Sequence, residues 1–237
     1  MNMKKLFLMI VLLLAVIATG CKSNSSSDAS KEASTTAKVD TVALMDELIK
    51  TSGMEENLEA TLNSIYAQMG YEDKELVEKM KQELPKITKE VYLKHFTIDE
   101  IKQIVELNKD EVKQKTTKKM PQIMEECFSE GMNYAAGKQS TTVSVSDDFK
   151  KAMNEYLDAD EFDKQMEQMS SVIDTKDLRE MMTGVFSKYF TVDEIKHLAE
   201  LSKLPISKTV RDNQAVIAKE VQEKVGKLVS DHFANKV

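Results

Sequence analysis

Glycine, proline, histidine and cysteine are scarce in this chain and tryptophan is missing: 237 residues hold seven Gly, three Pro, three His and two Cys. Each shortage removes a class of chemistry. So few glycines leave no Gly-rich loop to cradle a phosphate and no Gly-x-Ser-x-Gly elbow to present a nucleophile. The three histidines, His95, His197 and His232, show no His-Glu-x-x-His or other ligand spacing, so no metal site is assigned. Cys127 stands at no recognisable spacing from a histidine and reads as a packing residue, since free cysteine behaves as a small hydrophobe. The one long apolar run, Leu6 to Ala18, is shorter than the roughly 20 residues a membrane-spanning helix needs.

That run has a basic start (Lys4, Lys5) and small residues before Cys21, the pattern of a secretory signal over residues 1–20. Ala18-Thr19-Gly20-Cys21 resembles the lipobox of bacterial lipoproteins, which implies cleavage before Cys21 and acylation of its sulfur, for example with palmitate. An ordinary cleaved signal that happens to precede a cysteine is the alternative. With Cys21 acylated, Cys127 has no disulfide partner. Lys22, where an Asp would retain an enteric lipoprotein in the inner membrane, favours the outer membrane if the cell has one. Residues 21–39 are polar and small, too poor in apolar surface to order themselves, and read as a disordered tether. Loss of Lys4 and Lys5 from the 33 basic residues, against 40 acidic ones, gives the mature chain a formal charge of −9. Such an acidic chain is a poor match for nucleic acid or anionic lipid.

What remains is rich in Leu, Met, Glu and Lys, all good helix formers, and the expected fold is all-α. Asp40 is placed to cap a first helix carrying Leu44, Leu48 and Ile49, with Gly53 ending it. A second repeats apolar residues at Leu58, Leu62, Ile65 and Met69. Asp73 caps a third with Leu76, Met80, Leu84, Ile87 and Val91 inward, and Pro85 is expected to kink or split it. A fourth starts at Thr97 and turns Ile101, Ile104, Val105 and Val112 inward; a fifth follows Pro121 and buries Ile123, Met124, Cys127 and Phe128.

The organising feature is a duplicated stretch, Phe96-Thr97-Ile98-Asp99-Glu100-Ile101-Lys102 and Phe190-Thr191-Val192-Asp193-Glu194-Ile195-Lys196. Each reads as a capping box, Thr97 with Glu100 and Thr191 with Glu194, and Phe96 with Ile101, or Phe190 with Ile195, forms a hydrophobic staple. Glu106/Glu200, Leu107/Leu201 and Lys109/Lys203 continue the register at an offset of 94. Earlier positions match at 104, as in Met45, Leu48 and Ile49 against Phe149, Ala152 and Met153, so the second copy lacks about ten residues near Tyr71 to Met80. The chain thus reads as two tandem helical-bundle repeats of about five helices each, 40–136 and 148–237, joined by a linker at 137–147. In the linker, Thr142 to Val145 alternates as a brief strand would, though a lone strand makes no sheet. After it come Phe162, Met166, Met169 and Ile173, then a break at Pro205 and a helix with Ile217, Val221, Val225, Leu228 and Phe233 inward.

Each half resembles the bacterial family called domain of unknown function 2059, through the Phe-Thr cap and the acidic turn behind it. The match covers most of Ala43 to Gly137 and of Phe149 to Phe233. The family's closing Phe-Tyr-x-Ser-Pro-x-Gly pattern is replaced here: Leu201, Ser202, Pro205 and Ser207 stand there in the second copy, and Asp110, Glu111 and Lys113, with no proline, in the first. The resemblance implies an exported helical protein and carries no active-site residue.

Asp99-Glu100 and Asp193-Glu194 are carboxylate pairs, but in a first helical turn they complement the helix dipole and the cap. No catalytic residue is assigned and no cofactor is expected; a site assembled from dispersed residues is the alternative. Met69, Met80, Met124, Met153, Met166 and Met169 fall on inner stripes, where core filling is the first reading and an adaptable peptide groove the second. The candidate groove lies beside the shortened third helix of the second copy, at Met181, Met182, Val185 and Phe186, which offer more apolar surface than one stripe needs. The expectation is a lipid-anchored envelope protein held to the membrane through Cys21. It would bind a protein or peptide partner, with an envelope hydrolase and a structural spacer as alternatives.

Overall fold

The computed structural model describes residues 35–54, 73–135, 144–166 and 174–234. The signal segment, Cys21, most of the tether, the expected second helix at Leu58 to Met69, and Met169 and Ile173 lie outside them. Among the described residues the structure is all-helical, without strands. The helices are α1 (Thr35–Thr51), α2 (Lys74–His95), α3 (Ile98–Asn108), α4 (Glu111–Ala135), α5 (Asp147–Ala159), α6 (Phe162–Met166), α7 (Thr175–Phe186), α8 (Val192–Lys203) and α9 (Pro205–Ala234).

Local signals set most of the boundaries. Gly53, at φ 65°, ends α1 in the left-handed conformation that costs glycine little. The Asp73 carboxylate accepts from the Leu76 amide at 3.1 Å to open α2, and Ser146 Oγ accepts from the Phe149 amide at 3.3 Å to open α5. Pro205 takes the first position of α9, where its missing N–H removes no helical bond. α7 is 12 residues long against 22 for α2, a difference of ten. Seven of these are residues 74–80, before the point that matches Thr175; the other three are Leu93 to His95, which are helical, where Ser187 to Tyr189 form a turn.

Several expectations change at this level. α1 begins at Thr35, not at a cap on Asp40, so helix enters the expected tether; extending a helix that already exists is far easier than starting one. At Pro85, where a kink or a split was expected, α2 is not split. Val112 does not belong to the helix capped by Thr97: the chain breaks at Asp110, whose carboxylate accepts from the Val112 and Lys113 amides at 2.9 and 3.1 Å and starts α4 there. α4 in turn passes Pro121, where a start was expected. An interior proline costs about 3 kcal/mol, and full burial of a side chain such as Ile123, worth about 1.5–3 kcal/mol, helps to offset it. On α4, Ile123 is fully buried but Met124 is 39% exposed, so the inward face is narrower than the sequence suggested.

The chain forms two compact units that cut it elsewhere than the expected repeats do. One takes the chain up to Lys109 and again from Thr209; the other runs from Asp110 to Lys208. In the first unit α1 packs on α3 and α2, burying Met45, Leu48, Leu84, Val91, Ile101 and Val105, and Ile217 and Val225 of α9 are buried as well. Ion pairs run along α2 and α9, Glu90 with Lys224 at 2.9 Å and Lys94 with Glu220 at 2.7 Å, and His232 Nε2 lies 3.0 Å from the Asp73 carboxylate. In the second unit α5 packs on α8, α6 and α7, and α4 on α7 and α8. Its core joins Ile123 to Phe149, Met153, Leu157, Val185, Phe186, Phe190, Ile195 and Leu198.

Candidate functional site

The duplicated stretches form the structures their sequences specify. Thr97 Oγ1 accepts from the Glu100 amide at 3.3 Å while the Glu100 carboxylate accepts from the Thr97 amide at 2.8 Å. Thr191 and Glu194 repeat both bonds at the same distances, 3.3 and 2.8 Å. Phe96 and Ile101, and Phe190 and Ile195, are buried beneath the two caps. The second cap carries one more partner: Lys115 Nζ donates to Glu194 at 2.6 Å and lies 5.2 Å from the centre of the Phe190 ring. The Lys115 bond, then the Thr191 amide, hold the Glu194 carboxyl below the usual range. Glu100 and Glu194 thus complete the caps that open their helices.

Just before each cap lies a charged cluster that the sequence reading passed over. Lys188 Nζ donates to Glu126 at 2.6 Å, and the Tyr189 hydroxyl donates to the same carboxylate. In the other unit Lys94 Nζ donates to Glu220 at 2.7 Å, and His95 Nε2 lies 3.1 Å from the same oxygen. All three corresponding positions are 94 residues apart. Aromatic pairs share the spacing: Tyr92 and Phe96 centres are 5.3 Å apart, Phe186 and Phe190 centres 5.4 Å. Bonds from Lys188 and Tyr189 depress the Glu126 carboxyl. At Glu220 burial pulls upward, but Lys94 and His95 outweigh it and the carboxyl is also lowered. The available signal was the Lys-ring-Phe-Thr order before each cap and the Ile-x-x-Glu of Ile123 to Glu126 and Ile217 to Glu220, in the same register.

The histidines each face a carboxylate. His95 meets Glu220, His197 meets Asp110 at 2.7 Å, and His232, with a side chain only 3% exposed, meets Asp73 at 3.0 Å. Asp73 and Asp110 are also the residues that start α2 and α4, so these pairs fasten helix starts. Among the described residues no three side chains of metal-binding type converge. Cys127 is half-buried, its thiol 3.4 Å from the Met182 sulfur. Burial, followed by the charges of Glu126 and Glu130, pushes that thiol up to about 12. It therefore stays protonated at neutral pH and is a poor nucleophile.

The expected groove is filled. Met181, Val185 and Phe186 are buried, and Met182 is half-buried against the second unit's core. The reason is that α7 packs against both α4 and α5, so its broad apolar surface has neighbours on two sides. Of the inner-stripe methionines, Met80 and Met153 are buried, Met166 is packed against the core, and Met124 faces solvent. No helix among the described residues is long and apolar enough to cross a membrane. No family model matches the chain, and it matches no curated protein and no solved structure.

Proposed function

We propose that the chain is a lipid-anchored protein of the bacterial envelope, built from two tandem helical repeats, which binds another protein or peptide and catalyses nothing. The observation that carries this reading is the employment of its polar side chains. Among the described residues, Glu100 and Glu194 complete helix caps, Glu126 and Glu220 are held by Lys188 and Lys94, the three histidines each face a carboxylate, and the Cys127 thiol stays protonated beside Met182. The repeat is supported by two identical capping boxes 94 residues apart and by matching burial at that spacing, in Val91 and Val185, Ile101 and Ile195, and Ile123 and Ile217. The anchor rests on the lipobox-like Ala18 to Cys21 and the polar stretch behind it. The likeness of each half to the domain of unknown function 2059 family points to the same compartment, and Lys22 to the outer membrane where there is one.

Two experiments test the reading. Cys21→Ala should abolish metabolic labelling by a fatty-acid probe and release the protein from membranes or leave it as precursor; persistent labelling would refute the anchor. Photo-crosslinking of the intact lipoprotein in its own cells should capture a reproducible protein partner. Specific labelling of one side chain by an activity-based hydrolase probe would instead make the protein an enzyme.

A further inference from the structure

We infer that the two repeats exchange their last helices, each repeat forming the cradle in which the other's final helix docks, and that paired charges specify which helix enters which cradle. This rests on the repeat reading above. By sequence, α4 closes the first repeat and α9 the second. In the structure α4 belongs to the unit that holds α5 to α8, while α9 from Thr209 onward belongs to the unit that holds α1 to α3. The docking contact is the same in both. Glu220 of α9 meets Lys94 and His95 of the first repeat, and Glu126 of α4 meets Lys188 and Tyr189 of the second. In both helices the isoleucine three residues before that glutamate, Ile217 or Ile123, is buried.

A shared contact does not by itself distinguish the two helices, and other positions do. Lys224 of α9 pairs with Glu90 at 2.9 Å. The corresponding residue of α4 is Glu130, which would set a carboxylate against Glu90. Conversely, Lys115 of α4 pairs with Glu194 at 2.6 Å, and the corresponding residue of α9 is Thr209, which has no charge to offer there. The first cradle therefore repels its own repeat's helix at Glu90, and the second forgoes an ion pair at Glu194 if its own helix enters, so attraction and repulsion both contribute to the pairing. Among the described residues, each compact unit is completed by the last helix of the other repeat.

Zero-length carbodiimide coupling of the purified full-length protein, with mass-spectrometric mapping, tests the exchange directly. An equal mixture of heavy-nitrogen-labelled and unlabelled protein is used, and the Lys109–Glu106 pair within one helix end, at 2.8 Å, serves as the reactive control. Lys94–Glu220 and Lys188–Glu126 peptides are expected, each of a single isotopic composition. Lys94–Glu126 and Lys188–Glu220 peptides would mean that every repeat keeps its own helix and would overturn the inference while leaving the anchor and the repeat standing. Mixed isotopic peptides would place the exchange between copies and overturn it as an internal one, and absence of both expected peptides beside a reacted control would overturn it outright. A second measurement needs no coupling: with a protease site in the linker at 137–147, the cut halves should co-elute until denaturant is added, and separation under native conditions would refute the exchange.

Discussion

Removing the hydroxyl from one cap is a perturbation whose size the structure sets closely. In Thr97→Ala the Glu100 amide loses its acceptor at 3.3 Å, and the Glu100 carboxylate loses a hydroxyl donor at 2.9 Å while keeping the Thr97 backbone amide at 2.8 Å. Half of the box survives, and the site is exposed, so water replaces part of what is lost. The expected cost is therefore about 1 kcal/mol, the middle of the range for N-cap residues. For a chain of this size that is a fall in melting temperature of about 2–4 °C. Thr191→Ala should cost about as much, because Lys115 still holds Glu194 at 2.6 Å. The two threonines lie in different compact units and share no partner, so the double variant should show the sum of the single costs. Thermal melts followed by far-ultraviolet circular dichroism measure all three. Thr97→Ser and Thr191→Ser, which keep the acceptor, should melt near the wild type. If the alanine variants melted with the wild type while the serine variants fell, the hydroxyls would not be capping anything.

Other predictions test the core, the carboxylates and the thiol. Ile123→Ala should cost about 2–5 kcal/mol, as truncations of fully buried aliphatic side chains do, whereas Met124→Ala next to it should stay within about 0.5 kcal/mol; equal effects in urea denaturation would refute the assigned inward face of α4. The carboxyls of Glu126, Glu194 and Glu220 are all held below the ordinary 4.5, so their contribution to stability is complete above the unfolded value and lost as pH falls through the folded ones. Melting temperature should accordingly drop between about pH 5 and pH 3, and the triple Gln variant should melt lower at neutral pH with a flatter acid limb. Cys127, with its thiol held up to about 12, should react with a thiol reagent at mildly alkaline pH far more slowly in the native protein than in the urea-unfolded chain; equally rapid labelling of both would contradict its packing against Met182.

The caps were legible because every group involved lies within four residues: Thr, the acidic turn and Glu specify one another without help from the rest of the chain. Gly53, Asp73 and Pro205 were legible for the same reason. Asp110 was readable too, as an Asp placed before a new helix, but the apolar spacing of Ile101, Ile104 and Val112 runs smoothly across it and hides the break. Pro85 and Pro121 carry a strong local signal, and tertiary burial of Met80, Leu84, Val91 and Ile123 outweighs it. The breadth of the apolar surface around Met181 and Phe186 was visible, while the two neighbours that cover it, α4 and α5, are not written in the local sequence. The clusters at Glu126 and Glu220 were missed on the same ground: their partners are 62 and 126 residues away in sequence, and no periodicity names them.

The claim that this is a lipid-anchored envelope protein is tested most directly by intact-mass and peptide analysis of the mature protein purified from its own cells. The account predicts a chain whose first residue is Cys21, carrying a diacylglyceryl group on sulfur, followed by the unmodified polar stretch from Lys22. A chain that begins at any other residue, or at an unmodified Cys21, would contradict it.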